Sequence, residues 1–109
     1  MKSHHVLTTL LFLGAALASQ AADAQANWDE HCAKCHGADG KGNTKMGKKL
    51  SIRDLSDAKT QTEFTDAQAL KIIKEGLTDK NGKTTMKPVE GLSDDDMKAL
   101  LPFIRALKK

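Results

Sequence analysis

Cys32-Ala33-Lys34-Cys35-His36 is the stretch on which the reading of this 109-residue chain turns. It holds the only two cysteines, separated by two residues and followed at once by a histidine. Two thiols at this spacing can each form a thioether to one of the two vinyl groups of a haem. The next residue then lies where its imidazole reaches the iron from the same side. The pattern predicts one covalently attached haem c, held by Cys32 and Cys35, with His36 as proximal iron ligand. Three plainer readings compete. A structural disulfide between Cys32 and Cys35 suits an oxidising compartment. A thioredoxin-like redox pair needs a βαβ setting that the sequence does not offer. A zinc site lacks a second Cys/His pair, because His31 only crowds the same turn. His31 itself reads as a solvent-facing helix residue.

Upstream, Lys2, His4 and His5 make a short basic start, and no charged residue occurs from Val6 to Ala22. Leu7, Leu10, Leu11, Phe12, Leu13 and Leu17 dominate that run, and Ala22-Asp23-Ala24 closes it with small-x-small residues. These are the parts of a secretory signal peptide, expected to be cleaved after Ala24. A second such site, Ala16-Leu17-Ala18, lies inside the apolar run. The run is short for a membrane span, so no stable membrane insertion is expected after cleavage. The protein is then periplasmic or otherwise exported, which agrees with a haem attached after export.

Taking residues 1–24 as the leader leaves one domain, residues 25–109. A domain of that size buries little apolar core and usually needs a staple. Its aromatics are Trp28, Phe64 and Phe103, with no tyrosine. A covalently held macrocycle would supply the missing apolar volume. The net charge is +3, and the leader leaves it unchanged because Lys2 and Asp23 cancel. Lys34, Lys41, Lys45, Lys48, Lys49 and Arg53 form a basic stretch opposed only by Asp39. Scattered lysines are most often a solvated face, but this set can also steer an acidic partner protein. Nucleic acid fits poorly, since no aromatic residues interleave with the basic ones.

Downstream, the pattern predicts an all-α domain with three main helices and long loops. The first runs from about Asn27 to Cys35, with Asn27 as cap and Glu30 as its capping-box partner. The second follows Thr65, where Thr65-Asp66-Ala67-Gln68 is a capping box and Gly76 a fitting end. The third follows Ser93, with Asp94, Asp95 and Asp96 in its first turn and Met97, Leu100, Leu101, Ile104 and Leu107 at helical spacing. Pro102 inside that helix should kink it or loosen a turn. Ser56–Lys59 suggests a short extra helix. Gly37–Leu50 reads as a Gly-rich loop and Thr78–Pro88 as a polar loop with an Asn81-Gly82 turn. No run shows the alternation of a strand.

An electron-carrying haem iron normally has both axial positions filled, and a thioether there raises the potential. Met97 keeps register with Leu100, Leu101 and Ile104 and reads as core. Met46 lies in the Gly-rich loop, ten residues after His36. Met86 lies fifty residues after His36, in a loop stiffened by Pro88. Met86 is the expected distal iron ligand and Met46 the alternative.

These residues together resemble the class I, single-haem cytochrome c family across residues 25–109. The resemblance rests on Cys32–Gly37, on Met86-Lys87-Pro88, and on a closing amphipathic helix ending Phe103-Ile104-Arg105-Ala106-Leu107. It implies a cytochrome c fold in which the first and last helices cross around the haem. An aromatic four residues before the first cysteine packs in that family on an aromatic of the last helix, and Trp28 and Phe103 match these positions. Two features depart from the pattern. Lys87 stands between Met86 and Pro88, where the family often has proline directly after the methionine. The glycine of the helix crossing, eight residues before the first cysteine, is here Ala24.

The function expected from this reading is one-electron transfer between redox proteins by a monomeric, non-enzymatic carrier with His/Met-ligated iron. The lysines around the haem edge, with Lys83 and Lys87, would meet acidic partners. His36 is expected to donate its second imidazole N–H to a backbone carbonyl in Gly47–Leu50. The alternative is a haem protein whose sixth site is open or labile and binds a diatomic gas or peroxide.

Overall fold

The architecture is a set of helices folded beside an apolar cavity, seen in a computed structural model that describes residues 23–109. The expected leader, residues 1–22 of it, lies outside the described residues. Helix α1 covers residues 23–31, and α2 is Ala33–His36. Then come α3 (Lys45–Lys49), α4 (Ala58–Thr62) and α5 (Asp66–Glu75). Two short strands, β1 (Leu77–Thr78) and β2 (Thr84–Met86), precede the long α6 (Asp94–Ala106). No helix among the described residues is long and apolar enough to cross a membrane.

Helix α1 extends upstream of Asn27, which therefore lies inside it rather than at its cap. Ala24, Gln25 and Ala26 are good helix formers, and the helix propagates through them. The turn that ends it falls at Cys32, so the expected single helix to Cys35 is two short pieces.

The two later helices form where their caps predict. At α5 the Gln68 N–H donates to Thr65 Oγ1 (3.1 Å), and the Thr65 N–H donates to Gln68 Oε1 (2.9 Å). At α6 the Asp96 N–H donates to Ser93 Oγ (3.1 Å), and the Ser93 N–H donates back to Asp96 Oδ2 (3.3 Å). Each reciprocal pair satisfies backbone donors that a helix start leaves without partners. Helix α6 continues through Pro102, which sits exposed. Asp57 caps α4, the extra helix expected near Ser56–Lys59.

Two segments expected to be loops carry structure. Lys45–Lys49 is helical, because Thr44 Oγ1 accepts the Gly47 N–H at 2.8 Å. The Thr78–Pro88 stretch holds an antiparallel hairpin, Leu77 opposite Met86 and Thr78 opposite Thr84, with an irregularity between them. The hairpin is too short to show a period in the sequence. Its Asn81-Gly82 tip does turn as expected, with Gly82 at φ +80°.

The core joins Trp28, Cys32, Ile73, Met97, Leu100 and Ile104. Leu100 is fully buried, and burial of such a side chain contributes about 1.5–3 kcal/mol. The first and last helices meet through Trp28 and Phe103, whose ring centroids lie 5.3 Å apart at 39°. Ala24, one turn above Trp28, is buried to 3% exposure. Met97 belongs to this core, as its register predicts.

Candidate functional site

The Cys32–His36 turn is built by backbone bonds of its own. The His36 N–H donates to the Cys32 carbonyl (3.0 Å), the Cys35 N–H to the same carbonyl (3.3 Å), and the Gly37 N–H to Ala33 (2.8 Å). One helical turn thus carries both thiols and the imidazole. Gly37 then leaves at φ +84°, ψ 158°, a conformation open in practice to glycine alone.

Three residues fix this turn in place through contacts that the sequence does not reveal. Trp28 donates its indole N–H to the Gly37 carbonyl at 3.1 Å. Thr44 Oγ1 donates to the Cys35 carbonyl at 2.6 Å while capping α3. Gly47 lies so close that a Cβ there would collide with the Gly42 carbonyl and stand 2.6 Å from the Cys35 oxygen. None of the three close approaches has a local signature. Only the spacing from Trp28 to Cys32 is legible in the sequence.

Next to this turn opens a cavity of about 730 Å³, within the usual range for a ligand or cofactor pocket. Cys32, His36 and Met86 all line it, with Phe64, Ile72, Ile73 and Leu77 among its apolar walls. Met46, half-buried on α3, does not line it, and Met97 lies in the core. His31 is exposed, as expected of a solvent-facing helix residue. Much of the rest of its lining comes from α5 and the hairpin, up to Met86, fifty residues after His36.

Burial governs the chemistry of the near wall. It raises the Cys32 thiol to about 11, and the neighbouring Cys35 adds to the rise. It also lowers His36 below its ordinary value, which keeps the imidazole neutral and its nitrogen lone pair available to a metal. Both cysteines are free, so the disulfide reading has no support. Among the described residues, no three His, Cys, Asp or Glu side chains gather as a metal cluster. The zinc reading gains no support from them.

One expectation about His36 is corrected. Its Nδ1 is buried and makes no hydrogen bond, so the bond to a carbonyl of Gly47–Leu50 is absent. The first carbonyls of that stretch are engaged locally: Gly47 O accepts from Ile52 N (2.9 Å) and Lys48 O from Ser51 N (3.3 Å). The imidazole lies instead beside the Trp28 ring, centroids 5.7 Å apart. The neutral His36 imidazole and the Cys32 thiol line an apolar cavity, the second free thiol, Cys35, stands in the same turn, and this donor set fits a covalently attached haem.

Two further residues brace the cavity's Phe64 side. Arg105 donates to the Gln61 carbonyl (2.5 Å) and to Gln61 Oε1 (2.9 Å). It also donates to the Phe64 carbonyl (2.8 Å) and to Asp66 Oδ1 (2.9 Å), and its guanidinium lies 4.4 Å over the Phe64 ring. Gln61 in turn donates to the carbonyls of Leu55 (2.6 Å) and Ile104 (2.9 Å). Helix α6 is thereby tied to α4 and to the start of α5.

Comparison with known proteins bears on the same residues. The sequence model of the cytochrome c family matches residues 21–108. No curated protein sequence matches the chain. Among solved structures, the KustC0563 c-type cytochrome superposes with a TM-score of 0.67 at 33% identity, covering 79% of this chain and 98% of that one. A Tyr-to-Phe point mutant of Kustc0563 gives a TM-score of 0.65 at 33% identity, covering 79% of this chain and 99% of that one. The attachment turn, the crossing of first and last helices and the match over residues 21–108 agree: this chain belongs to the cytochrome c family and carries a covalently attached haem c.

Proposed function

We propose that the protein is an exported one-electron carrier whose haem is bound through Cys32 and Cys35, with His36 and Met86 as axial ligands. Family membership supports the electron-carrier role. The single observation that supports the ligand set is the cavity, which both His36 and Met86 line while Met46 stays outside it. The haem supplies an iron that cycles between ferric and ferrous states. The chain's own residues bind, orient and exclude water. The attachment turn sets His36, the apolar walls keep the pocket dry, and a thioether from Met86 favours the reduced state.

Export with removal of an N-terminal leader completes the proposal, supported by the uncharged run from Val6 to Ala22. Lys34, Lys41, Lys45, Lys48, Lys49 and Arg53 are all exposed, as are Lys83 and Lys87. Such a basic surface suits acidic redox partners, so electron transfer to them should slow with added salt.

The absorption spectrum of the purified protein tests the ligand set. The oxidised protein should show the sulfur-to-iron charge-transfer band. Met86→Ala should abolish it and Met46→Ala should leave it intact. A band lost only in Met46→Ala would transfer the role to Met46. Absence of the band in the unaltered protein would favour an open sixth site that binds a diatomic gas or peroxide.

A further inference from the structure

Gly76 ends helix α5 in an unusual way. Its N–H donates to the Ile72 carbonyl at 2.7 Å, and its backbone stands at φ 79°, ψ −175°, a region that side-chain-bearing residues essentially do not occupy. The space around it is as restrictive as its conformation. A Cβ at Gly76 would lie 2.6 Å from the Met86 carbonyl oxygen, 2.9 Å from Pro88 Cδ and 3.0 Å from Pro88 N. The segment Met86-Lys87-Pro88 therefore rests backbone-on-backbone against the end of α5. Two further contacts hold it there. Leu77 pairs with Met86 across the hairpin, and the Val89 N–H donates to the Ile73 carbonyl at 2.9 Å, in the last turn of α5. Gly76, Ile72, Ile73, Leu77 and Met86 all line the cavity.

The extra residue between methionine and proline makes sense in this setting. Lys87 is exposed, while Met86 before it is half-buried and the Pro88 ring after it packs on Gly76. Lys87 bridges two anchored neighbours and stays in solvent.

We infer that Gly76 is a positioning residue for the distal ligand: its missing side chain allows the Met86–Pro88 backbone to sit close enough to α5 for the sulfur to face His36 across the cavity. This rests on Met86 being that ligand. The plainer account is a glycine that only ends a helix. Gly82 separates the two. It shares the positive φ (+80°), but a Cβ there would meet nothing within 4 Å. A positive φ is common to both glycines, and contact with the methionine segment belongs to Gly76 alone.

The experiment compares Gly76→Ala, Gly82→Ala and Met86→Ala in the holoprotein. The readouts are the sulfur-to-iron band, the midpoint potential and carbon monoxide binding to the reduced form. Gly76→Ala should shift the ratio of methionine-bound to methionine-free protein by roughly tenfold or more toward the free form. Its potential should fall, and carbon monoxide should bind readily. Gly82→Ala should lower only the melting temperature. A Gly76→Ala protein with lower melting temperature but unchanged band and potential overturns the inference. A band that persists in Met86→Ala shows instead that the ligand assignment is wrong, and removes the inference with it. If Gly76→Ala does not accumulate, hydrogen exchange on the unaltered protein decides. Imidazole that displaces the sulfur should release the amides of Gly76 and Val89 while those of α6 stay protected. Unchanged protection at Gly76 and Val89 overturns the inference.

Discussion

Trp28 donates its indole N–H to the Gly37 carbonyl at 3.1 Å, and so fastens helix α1 to the residue that closes the haem-attachment turn. The same side chain is almost fully buried and packs against both Phe103 and His36. One residue thereby links the helix crossing to the His36 imidazole of the attachment turn. Trp28→Phe keeps an aromatic ring but removes the donor and leaves unfilled volume. It should destabilise the protein by about 2 kcal/mol. Chemical denaturation of the holoprotein measures this, and a change below about 0.5 kcal/mol would show that the indole bond matters little.

Arg105 should not tolerate lysine. Its planar fork serves two carbonyls, the Gln61 amide and Asp66 at once, and lies over Phe64. An ammonium cannot reproduce that geometry. Arg105→Lys should cost about 2 kcal/mol in thermal or denaturant unfolding. The Asp66 arm is exposed and contributes least, so Asp66→Asn should be nearly neutral. Equal losses from the two substitutions would contradict this ranking.

The Asp54 carboxylate accepts from Ser56 Oγ (2.5 Å) and from Ser56 N (2.8 Å). These bonds, with the side-chain one foremost, hold its pKa below the ordinary value. A group with a depressed folded pKa adds stability above its unfolded pKa and loses it as pH falls through the folded one. Asp54→Asn should therefore melt lower than the unaltered protein at neutral pH, with the difference narrowing once pH drops below about 4. Melting curves across that range check it, and a gap that stays constant down to strongly acidic pH would sink the idea.

Ala24 bears on where the leader is cut. It is 3% exposed within α1 and lies a turn above Trp28 in the crossing with α6. Cleavage after Ala24 would remove a buried residue from that crossing. Ser19-Gln20-Ala21 offers a small-x-small site upstream. If export removes a leader as proposed, the mature chain should therefore begin before Asp23, as intact mass and N-terminal sequencing will read. A mature chain that starts at Gln25 would falsify this.

What the sequence determined alone was local chemistry. Haem attachment is legible in Cys32–His36 because two thioethers and one ligand need no partner outside a single turn. The starts of α5 and α6 are legible because Thr65 with Gln68, and Ser93 with Asp96, satisfy each other's backbone within three residues. Met97 reads as core from its spacing, since helical period alone puts it beside Leu100 and Ile104.

Tertiary structure decided everything that depends on segments distant in the chain. Thr44 beneath Cys35, Gly47 against the attachment turn, Gly76 against Met86 and the Gln61–Arg105 tie are contacts whose two halves carry no mutual signature. The hairpin that holds Met86 is too short for a period, and forms because α5 and the Val89 bond bring its strands together. The partner expected for His36 Nδ1 failed for the same reason. The orientation of the ring relative to the Gly47–Leu50 backbone is set by the packing of distant segments, and it leaves Nδ1 without a partner.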